Sequence, residues 1–598
     1  MIAVSLLAAP VAARAAEIEV LVVSPRIISQ DATGLFDQTA TGHANIGMGE
    51  KAYLRVTPQA DENWSGIEWS ITQRPAASQA AIPAATAWTI AIQPDAEGVY
   101  EVTFSGVRNE EKVILSKNIV AASFVGAGVL LNGVLTGPQC VICHRENANG
   151  WKETVHAKLF AKYLNGEKTG RYQASFLQWH TLGYNPDPLA RNSGFDDKMD
   201  ALGIGADDFV NQINQAYRLR HDRNPKNDPD NYAALQDSLK DRSNVQCESC
   251  HGAGSLHNGN TARIGFTWSV RFCARCHDDF DESAKPYAKD VSGHSALVPL
   301  FRDYPVLLKT DCAKCHSAKG FVNIAVQNTP GAVYYEDPDA NAVSCAACHD
   351  PHNGQYDKLL RFQGNVKLDS GELFENGGMG SVCVICHQSR IQTPLETFIA
   401  TNSAGPHYGP QADMLLGVNA WDFGVPFDSA DPTKYKIHKD LVQDTCAACH
   451  MAKTPANGFN AEGALVGGHS FKIVNRMGTA SQDDDVSNVL NACRPCHLTI
   501  KTIDRPVADY DGNGKAEGIQ TEVIGLLKKI GLALQANHPS IVIADDGYLE
   551  VPASVFNQMS FNEKAALHNS RMVYRDGSFG IHNPRYAVEA LQRALRAL

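Results

Sequence analysis

The stretch VQCESCHGAGSLH, residues 245–257, contains the pattern Cys-x-x-Cys-His, followed six residues later by another histidine. The pattern recurs along the 598-residue chain and takes up all 16 cysteines, so that none is left over. We number the motifs 1 to 8 in chain order: Cys140/Cys143/His144, Cys247/Cys250/His251, Cys273/Cys276/His277, Cys312/Cys315/His316, Cys345/Cys348/His349, Cys383/Cys386/His387, Cys446/Cys449/His450 and Cys493/Cys496/His497.

The spacing of these motifs has a chemical reason. Two thiols three positions apart lie on one helical turn, where both can add to the vinyl groups of a haem, and the next histidine can bind the iron. The sequence therefore predicts eight covalently attached haems c. Paired cysteines could instead hold zinc or form redox-active dithiols or disulfides. Neither alternative explains why a histidine follows every pair.

Low-spin haem iron needs a second axial ligand, and histidine is the usual one. Of the 21 histidines in the chain, only eight belong to the motifs. Local context favours eight others as distal iron ligands: His156, His257, His294, His352, His407, His438, His469 and His582. His352 lies too close to His349 to serve the same iron easily, so we expect it to reach a neighbouring haem. The sequence does not pair the other distal histidines with particular motifs.

The N-terminus is typical of an exported protein. We interpret residues 1–16 as a signal peptide, because an apolar run precedes Ala13-Arg14-Ala15, an A-x-A cleavage site. The alternative is a buried first strand. Export to the periplasm or the cell exterior agrees with c-type maturation, which takes place outside the cytoplasm. No apolar run is long enough for a transmembrane helix. The formal net charge of −12 argues against a nucleic-acid partner, which favours a basic face.

Residues 17–125 have the alternation of a β domain. Strand-like runs separated by turn residues are Glu17–Val23, Ala52–Val56, Ile67–Ile71, Ala87–Ile92, Val99–Phe104 and Lys112–Leu115. The approach to Tyr100 resembles a tyrosine corner, and Trp69 is a candidate core residue. The region resembles immunoglobulin-like and PKD-like β-sandwiches. Such modules usually act as spacers or adhesion units.

The remaining chain divides into three parts. Residues 126–139 are predicted to be a linker. Residues 140–500 form the octahaem domain, mostly helical and loop-rich; with about 45 residues per haem, the porphyrins must supply much of its core. Residues 501–598 form a C-terminal helical region packed on that domain. Helical patterns cover Asp207–Arg220, Ile519–Ala536 and Pro584–Leu598.

A second metal site is predicted after motif 8. Asp509, Asp511 and Asn513 occupy positions 1, 3 and 5 of a calcium-loop pattern that has Gly514 at position 6. Position 12 is Gln520 rather than Glu, although Glu517 or Glu522 could replace it. The alternative is a surface turn rich in Asp and Asn.

Residues 140–598 resemble the large multihaem cytochromes that include extracellular electron-transfer cytochromes. More distantly, they are similar to the group of hydroxylamine oxidoreductase and pentahaem nitrite reductase. The resemblance is carried by VQCESCHGAGSLH, SCAACHDPH, CAACHM and DGSFGIHNPRYAVEAL. Reductases of this group mark the catalytic haem with Cys-x-x-Cys-Lys, which does not occur here. Hydroxylamine oxidoreductase has Cys-x-x-Cys-His throughout and crosslinks one haem to a tyrosine, so it remains the main alternative.

Three functions follow from these observations. The first is electron transfer between bis-histidine haems, with other redox proteins, an outer-membrane conduit or an extracellular acceptor as partners. A filament is conceivable if a distal histidine comes from a neighbouring subunit. The second is an octahaem enzyme with one open iron that acts on a small nitrogen or sulfur compound. The third is an adhesin with local redox sensing.

Overall fold

The computed structural model describes residues 16–131, 134–136, 140–168, 171–221, 230–278, 285–290, 292–295, 312–326, 343–427, 437–453, 465–475 and 486–598. The signal-peptide prediction therefore lies outside the described residues, apart from residue 16. The chain begins with a β region and continues with a mostly helical, loop-rich region. This order of the two regions confirms the sequence-based prediction.

The N-terminal region contains nine strands: β1 (Glu19–Val20), β2 (Val22–Val23), β3 (Ala40–Thr41), β4 (Asn45–Gly47), β5 (Ala52–Arg55), β6 (Trp64–Gln73), β7 (Thr89–Ile92), β8 (Gly98–Arg108) and β9 (Glu111–Ala122). One sheet has the order β4-β9-β8-β6 and another the order β1-β5-β7, while β2 pairs with β3. The pairing of β4 with β9 is parallel and the others are antiparallel. A helix, Pro25–Gln30, follows β2.

Alternate side chains of these strands fill one core between the two larger sheets. On β8, Tyr100, Val102 and Phe104 are buried, as the two-residue period of a strand requires. They pack with Leu54 and Ile90 of the facing sheet. The Tyr100 hydroxyl donates to the Ala96 carbonyl at 2.9 Å and accepts from the Ala96 amide at 3.0 Å. The strands β6, β8 and β9 are longer than predicted, because backbone pairing continues past the apolar residues.

The β region packs directly against motifs 2 and 3. The Asn45 side chain donates to the carbonyl of His251 at 2.7 Å. Gly252 has a φ of +79°, and a side chain there would collide with Asn45. Beside motif 3, Ser24 Oγ and Arg26 Nε both donate to the buried carboxylate of Asp278, at 2.9 and 3.0 Å. The β region is therefore fastened to the residues on which the haem chemistry depends.

The predicted linker has structure of its own. Its residues include an antiparallel hairpin, Val129–Leu131 with Val134–Thr136. Its start is held by Glu248, inside motif 2, whose carboxylate accepts from the amides of Val125 at 3.0 Å and Gly126 at 2.6 Å. These bonds fix where the chain enters the motif region.

Between residues 140 and 500 the helices are short. The α-helices of the described residues are Cys140–Cys143, Arg145–Trp151, Leu159–Leu164, Leu177–His180, Phe195–Leu202, Ala206–His221, Asn231–Ala234, Asp237–Lys240, Cys247–His251, Val270–His277, Lys285–Asp290, Ala313–His316, Ala318–Gly320, Cys345–Cys348, Ser381–Val384, Leu395–Thr401, Gln411–Leu416, Ile437–Leu441, Thr445–His450 and Val489–Ala492. Two further hairpins pair Val366–Lys367 with Leu373–Phe374 and Val474–Asn475 with Val486–Ser487. Ala206–His221 contains the helix predicted for the gap between motifs 1 and 2.

The C-terminal region has the largest apolar core of the chain. Helices Ile519–Asn537, Ala553–Phe556, Phe561–Asp576 and Pro584–Ala597 accompany a hairpin of Val542–Ile543 with Leu549–Glu550. Leu527, Ile530, Val573 and Leu591 are fully buried between the helices. This core also includes Met414, and therefore joins the motif region. Within the described ranges, no helix combines the length and apolar character needed to cross a bilayer.

Candidate haem-binding sites

Each described motif forms a helical turn or lies within a short helix. In motif 1 the His144 amide donates to the Cys140 carbonyl at 2.9 Å, and motifs 4, 5, 6 and 8 have the same bond at 2.9–3.1 Å. Motif 2 begins with a capping box formed by Gln246 and Ser249. The helical turn brings the two thiols and the imidazole of one motif to the same side of the backbone, as attachment to one haem requires.

Every motif histidine faces one further histidine. The distances between ring centres are 6.5 Å for His144 and His257, 6.0 Å for His251 and His352, 6.1 Å for His277 and His156, 6.1 Å for His316 and His407, 6.2 Å for His349 and His469, 6.1 Å for His387 and His294, 6.1 Å for His450 and His582, and 6.2 Å for His497 and His438. The eight partners are the histidines that the sequence analysis singled out. His352 faces motif 2 rather than its own motif 5.

This common spacing has the size of a bis-imidazole metal site. Two metal–nitrogen bonds of about 2.0 Å, with each ring centre about 1.1 Å beyond its nitrogen, separate the ring centres by about 6 Å. Imidazoles in direct stacking contact would be closer together, as the 4.0 Å between Tyr217 and His221 illustrates. The residues present therefore fit a six-coordinate haem iron at each motif.

Many of these histidines are oriented through Nδ1, which leaves Nε2 free for a metal. Nδ1 of His251 lies 2.7 Å from the Gly265 carbonyl oxygen, and Nδ1 of His349 lies 2.8 Å from that of Lys358. His407, His438 and His450 make the same kind of contact at 2.7–3.0 Å. A hydrogen bond of this type fixes the tautomer and the ring direction of a metal ligand.

The pKa values favour neutral imidazoles. Burial lowers the pKa of His277, His316 and His469 to about 4 and that of His294 to about 3. A neutral imidazole is the form that binds a metal. The buried pairs are therefore ready to bind iron without first losing a proton at neutral pH.

His582 is the exception. Burial alone would lower its pKa, but the carboxylate of Asp576 raises it above the ordinary value. Asp576 is only 2% exposed, and its Oδ1 lies 2.6 Å from Nδ1 of His582. The sequence analysis missed Asp576, although its place six residues before His582 was a usable signal. A carboxylate bound to a ligating histidine raises the basicity of that ligand.

The remaining histidines have other surroundings. His180 Nδ1 lies 2.9 Å from the Tyr172 hydroxyl, and His568 Nε2 lies 2.8 Å from the Asn419 carbonyl oxygen. His538 contacts Glu563 at 3.2 Å, His221 stacks on Tyr217, and His43 packs on Phe272 at 5.0 Å between ring centres. Among the described ring contacts, none of these five histidines faces a motif histidine. The structure thus separates them clearly from the eight partners.

Two solved structures are similar to part of this chain. The first is the crystal structure of the outer cell wall cytochrome OcwA, 19% identical, covering 60% of this chain and 70% of that one, with a TM-score of 0.39. The second is an undecahaem cytochrome from the S-layer of Carboxydothermus ferrireducens, 17% identical, covering 60% of this chain and 50% of that one, with a TM-score of 0.34. Both are cytochromes. No family model and no curated protein matches the sequence.

Similarity at this level carries no argument about function. The proposals below therefore depend on the residues of this chain alone.

The predicted calcium loop is partly assembled. Carboxylate oxygens of Asp509, Asp511 and Glu522 lie within 4.8 Å of one another. Glu522 is fully buried and accepts from the amides of Tyr510 and Asp511, at 2.7 and 2.9 Å. Glu522 thus takes the place that the pattern gives to Gln520, whose side chain donates to Ser578 instead.

The third predicted ligand is less well placed. The side-chain amide of Asn513 donates to Glu517 at 2.7 Å, and its oxygen accepts from the Lys515 amide at 2.8 Å. Lys529 Nζ contacts the Asp511 carbonyl beside the cluster. A cation at this site would therefore rely mainly on the three carboxylates.

Proposed function

We propose that this protein is an octahaem c-type cytochrome whose function is electron transfer, with every iron held by two histidines. The observation that carries the proposal is the pairing of all eight motif histidines with a second histidine at 6.0–6.5 Å between ring centres. No zinc or dithiol site would require such a partner.

When bound, the haem supplies one-electron cycling between ferric and ferrous iron. The chain's own residues do the rest. Sixteen thiols attach the porphyrins, paired imidazoles fill both axial positions, and the hydrogen bonds at Nδ1 fix the imidazole orientations. Burial and these axial contacts set the reduction potentials.

The alternative is an oxidoreductase that acts on a small nitrogen or sulfur compound. Such an enzyme needs an iron with an open coordination position. The pairing of every motif histidine weighs against it, and we favour the electron carrier.

Electron paramagnetic resonance of the oxidised protein tests this choice, after pyridine haemochrome analysis has counted the haems. We expect eight haems per chain and low-spin ferric signals alone. A high-spin ferric signal from about one haem in eight would favour the enzyme. A count of zero would end the proposal altogether.

We further propose that the protein works in the periplasm or at the cell exterior, as an exported chain with a signal peptide at residues 1–16. The formal charge of −12 favours basic docking surfaces on its partners. Those partners would be other redox proteins or an extracellular electron acceptor. Because each motif histidine has an intrachain partner, a filament or homo-oligomer would not need a shared iron ligand.

For the domains, we propose an immunoglobulin-like sandwich at 17–125, a connection at 126–139, the octahaem domain at 140–500 and a covering helical region at 501–598. The two facing sheets and the Tyr100 contact to Ala96 support the sandwich. The bonds from Asn45 and Ser24 to the motif region support a positioning role for it, rather than that of a free spacer.

We also propose calcium at Asp509 and Asp511, with Glu522 as third ligand and Asn513 beside them. The support is the convergence of three carboxylates, one of them fully buried. Calcium prefers carboxylate and carbonyl oxygens. Isothermal titration with CaCl₂ in chelator-treated buffer tests it directly.

A further inference from the structure

We propose that the haem relay of this protein is branched: the attachment motifs follow one another in space as 1-2-3-5-6-7-8, and motif 4 lies to one side at motif 6. The order rests on the proposed function, since it concerns where the haems would sit. It differs from the order of the motifs along the chain. Thioether sulfurs mark porphyrin edges, so two motifs whose thiols touch hold their porphyrins edge to edge.

The first half of the path starts at motif 1. The Cys140 thiol contacts the Cys247 thiol of motif 2. Inside motif 3, Arg275 donates to the Ser249 carbonyl inside motif 2, at 3.4 Å. The distal partner of motif 1, His257, lies six residues after motif 2, which also holds these two motifs together.

The path then leaves the chain order. The Cys273 thiol of motif 3 contacts the Cys345 thiol of motif 5, and helix Val270–His277 packs on helix Cys345–Cys348. Motif 4, which lies between them in sequence, is not needed for this step. The Cys348 side of motif 5 shares a buried apolar cluster with Val382, Cys383 and Cys386 of motif 6.

Motif 6 is the junction. Its first thiol, Cys383, contacts Cys446 of motif 7, and its second thiol, Cys386, contacts Cys315 of motif 4. Motif 4 is held at this place because its following turn, Ala318–Gly320, packs on the motif 5 helix. The two thiols of a single motif thus point to two different neighbours.

Further bonds fix the step from motif 6 to motif 7. Thr445 Oγ donates to the Gly377 carbonyl at 2.8 Å, and the Met379 amide donates to Asp444 at 2.8 Å. Gln411 lies 3.0 Å from Nδ1 of His387 and donates to the Asp576 carbonyl at 2.9 Å. Since Asp576 also holds His582, one buried chain of bonds orients the ligands of motifs 6 and 7.

The path ends at motif 8 and at the surface. Helix Thr445–His450 contacts helix Val489–Ala492, and Asn488 donates to the Ala452 carbonyl at 3.1 Å. Leu498, next to His497, is 75% exposed, and Ile142 inside motif 1 is 66% exposed. Cys143 and Cys496 are exposed as well. The two ends of the path are therefore accessible to electron donors and acceptors.

A variant pair tests the branch in the full-length holoprotein. A photoreductant is attached to Leu498→Cys at the motif 8 end, and His257→Met gives motif 1 the distinct absorption of a methionine-ligated haem. Cys312→Ser with Cys315→Ser removes the motif 4 haem. Cys383→Ser with Cys386→Ser removes the motif 6 haem. After a light pulse, we expect the reporter to be reduced as in the parent when motif 4 is removed, and its fast reduction to be lost when motif 6 is removed.

Loss of the fast phase on removing motif 4, or its survival without motif 6, overturns the proposed order. Haem counts of seven in both variants, by pyridine haemochrome, separate this failure from a failure of haem binding itself. If the motif 6 variant does not fold, an electron cryomicroscopy map of the unaltered holoprotein decides. Motif 6 must then border motifs 4, 5 and 7, and a map in which motif 4 lies in series between motifs 5 and 6 contradicts the branch.

Discussion

The Asp576 carboxylate lies 2.6 Å from Nδ1 of His582, and that histidine faces His450 of motif 7 at 6.1 Å between ring centres. Among the eight partners of the motif histidines, the described contacts give only His582 so close a carboxylate. The next nearest, Asp350 at His352, is 3.5 Å away. An anionic acceptor makes the imidazole a stronger donor to ferric iron and so lowers the reduction potential. We therefore expect motif 7 to hold a low-potential haem.

Replacing the carboxylate by an amide tests this. Because a charge-assisted hydrogen bond is about 1 kcal/mol stronger than a neutral one, Asp576→Asn should raise the potential of one haem by about 40 mV. Spectroelectrochemical titration measures it. The matched control is Glu563→Gln, which removes the carboxylate at His538, a histidine that faces no motif in the described ring contacts. An equal shift in both variants would contradict the assignment.

The pairing of histidines predicts the effect of losing one. His294→Ala should open the iron at motif 6 and convert about one haem in eight to high spin, because water or nothing then replaces the imidazole. Electron paramagnetic resonance of the oxidised protein measures this. His221→Ala, at an exposed histidine that stacks on Tyr217, should leave the spectrum unchanged. A low-spin spectrum in His294→Ala would mean that another residue is the ligand.

The ring planes predict two kinds of low-spin signal. His251 and His352 are nearly parallel, at 13°, whereas His438 and His497 are nearly perpendicular, at 85°. Parallel imidazoles split the iron orbitals more than perpendicular ones, so the spectrum should contain both rhombic and strongly anisotropic components. His438→Met should remove intensity from the anisotropic component. Loss from the rhombic component instead would contradict this geometry.

The contact between the β region and motif 3 predicts a change in stability. Asp278→Ala leaves the buried Ser24 hydroxyl and the Arg26 guanidinium without their acceptor, which should cost about 1–3 kcal/mol. Denaturant unfolding followed by tryptophan fluorescence of the β region, which contains Trp64, Trp69 and Trp88, measures it. Asp61→Ala, at an exposed position, is the control and should change the free energy of unfolding by less than about 0.5 kcal/mol. Equal stability of both variants would show that the β region does not depend on this contact.

Calcium should stabilise the C-terminal region. At a calcium concentration about 100-fold above its dissociation constant, binding adds about 2.7 kcal/mol to the free energy of unfolding. Calorimetry with and without chelator should show the gain in the parent and in Asp545→Asn, an exposed control outside the cluster, and none in Asp511→Asn. An unchanged melting temperature in the parent would remove the calcium proposal.

The sequence predicted the elements whose information is local. Strand alternation located the β region, and the apolar period located the helices at Ile519–Asn537 and Pro584–Ala597. Helix Phe561–Asp576 escaped, because buried polar residues such as Asn569 and Arg571 interrupt its apolar pattern. The capping box of Ser560 and Glu563 was the signal that could have found it.

By itself, the sequence determined the eight attachment motifs and the candidate histidines, since thiol spacing and the residue that follows it are properties of a pentapeptide. Only the tertiary structure decided which histidine faces which motif, and which motifs touch. His352 lies beside His349 in sequence yet faces His251. Motif 4 precedes motif 5 but leaves the path at motif 6. Such pairings join residues up to about a hundred positions apart or more, and packing of the folded chain sets them, which no local spacing encodes.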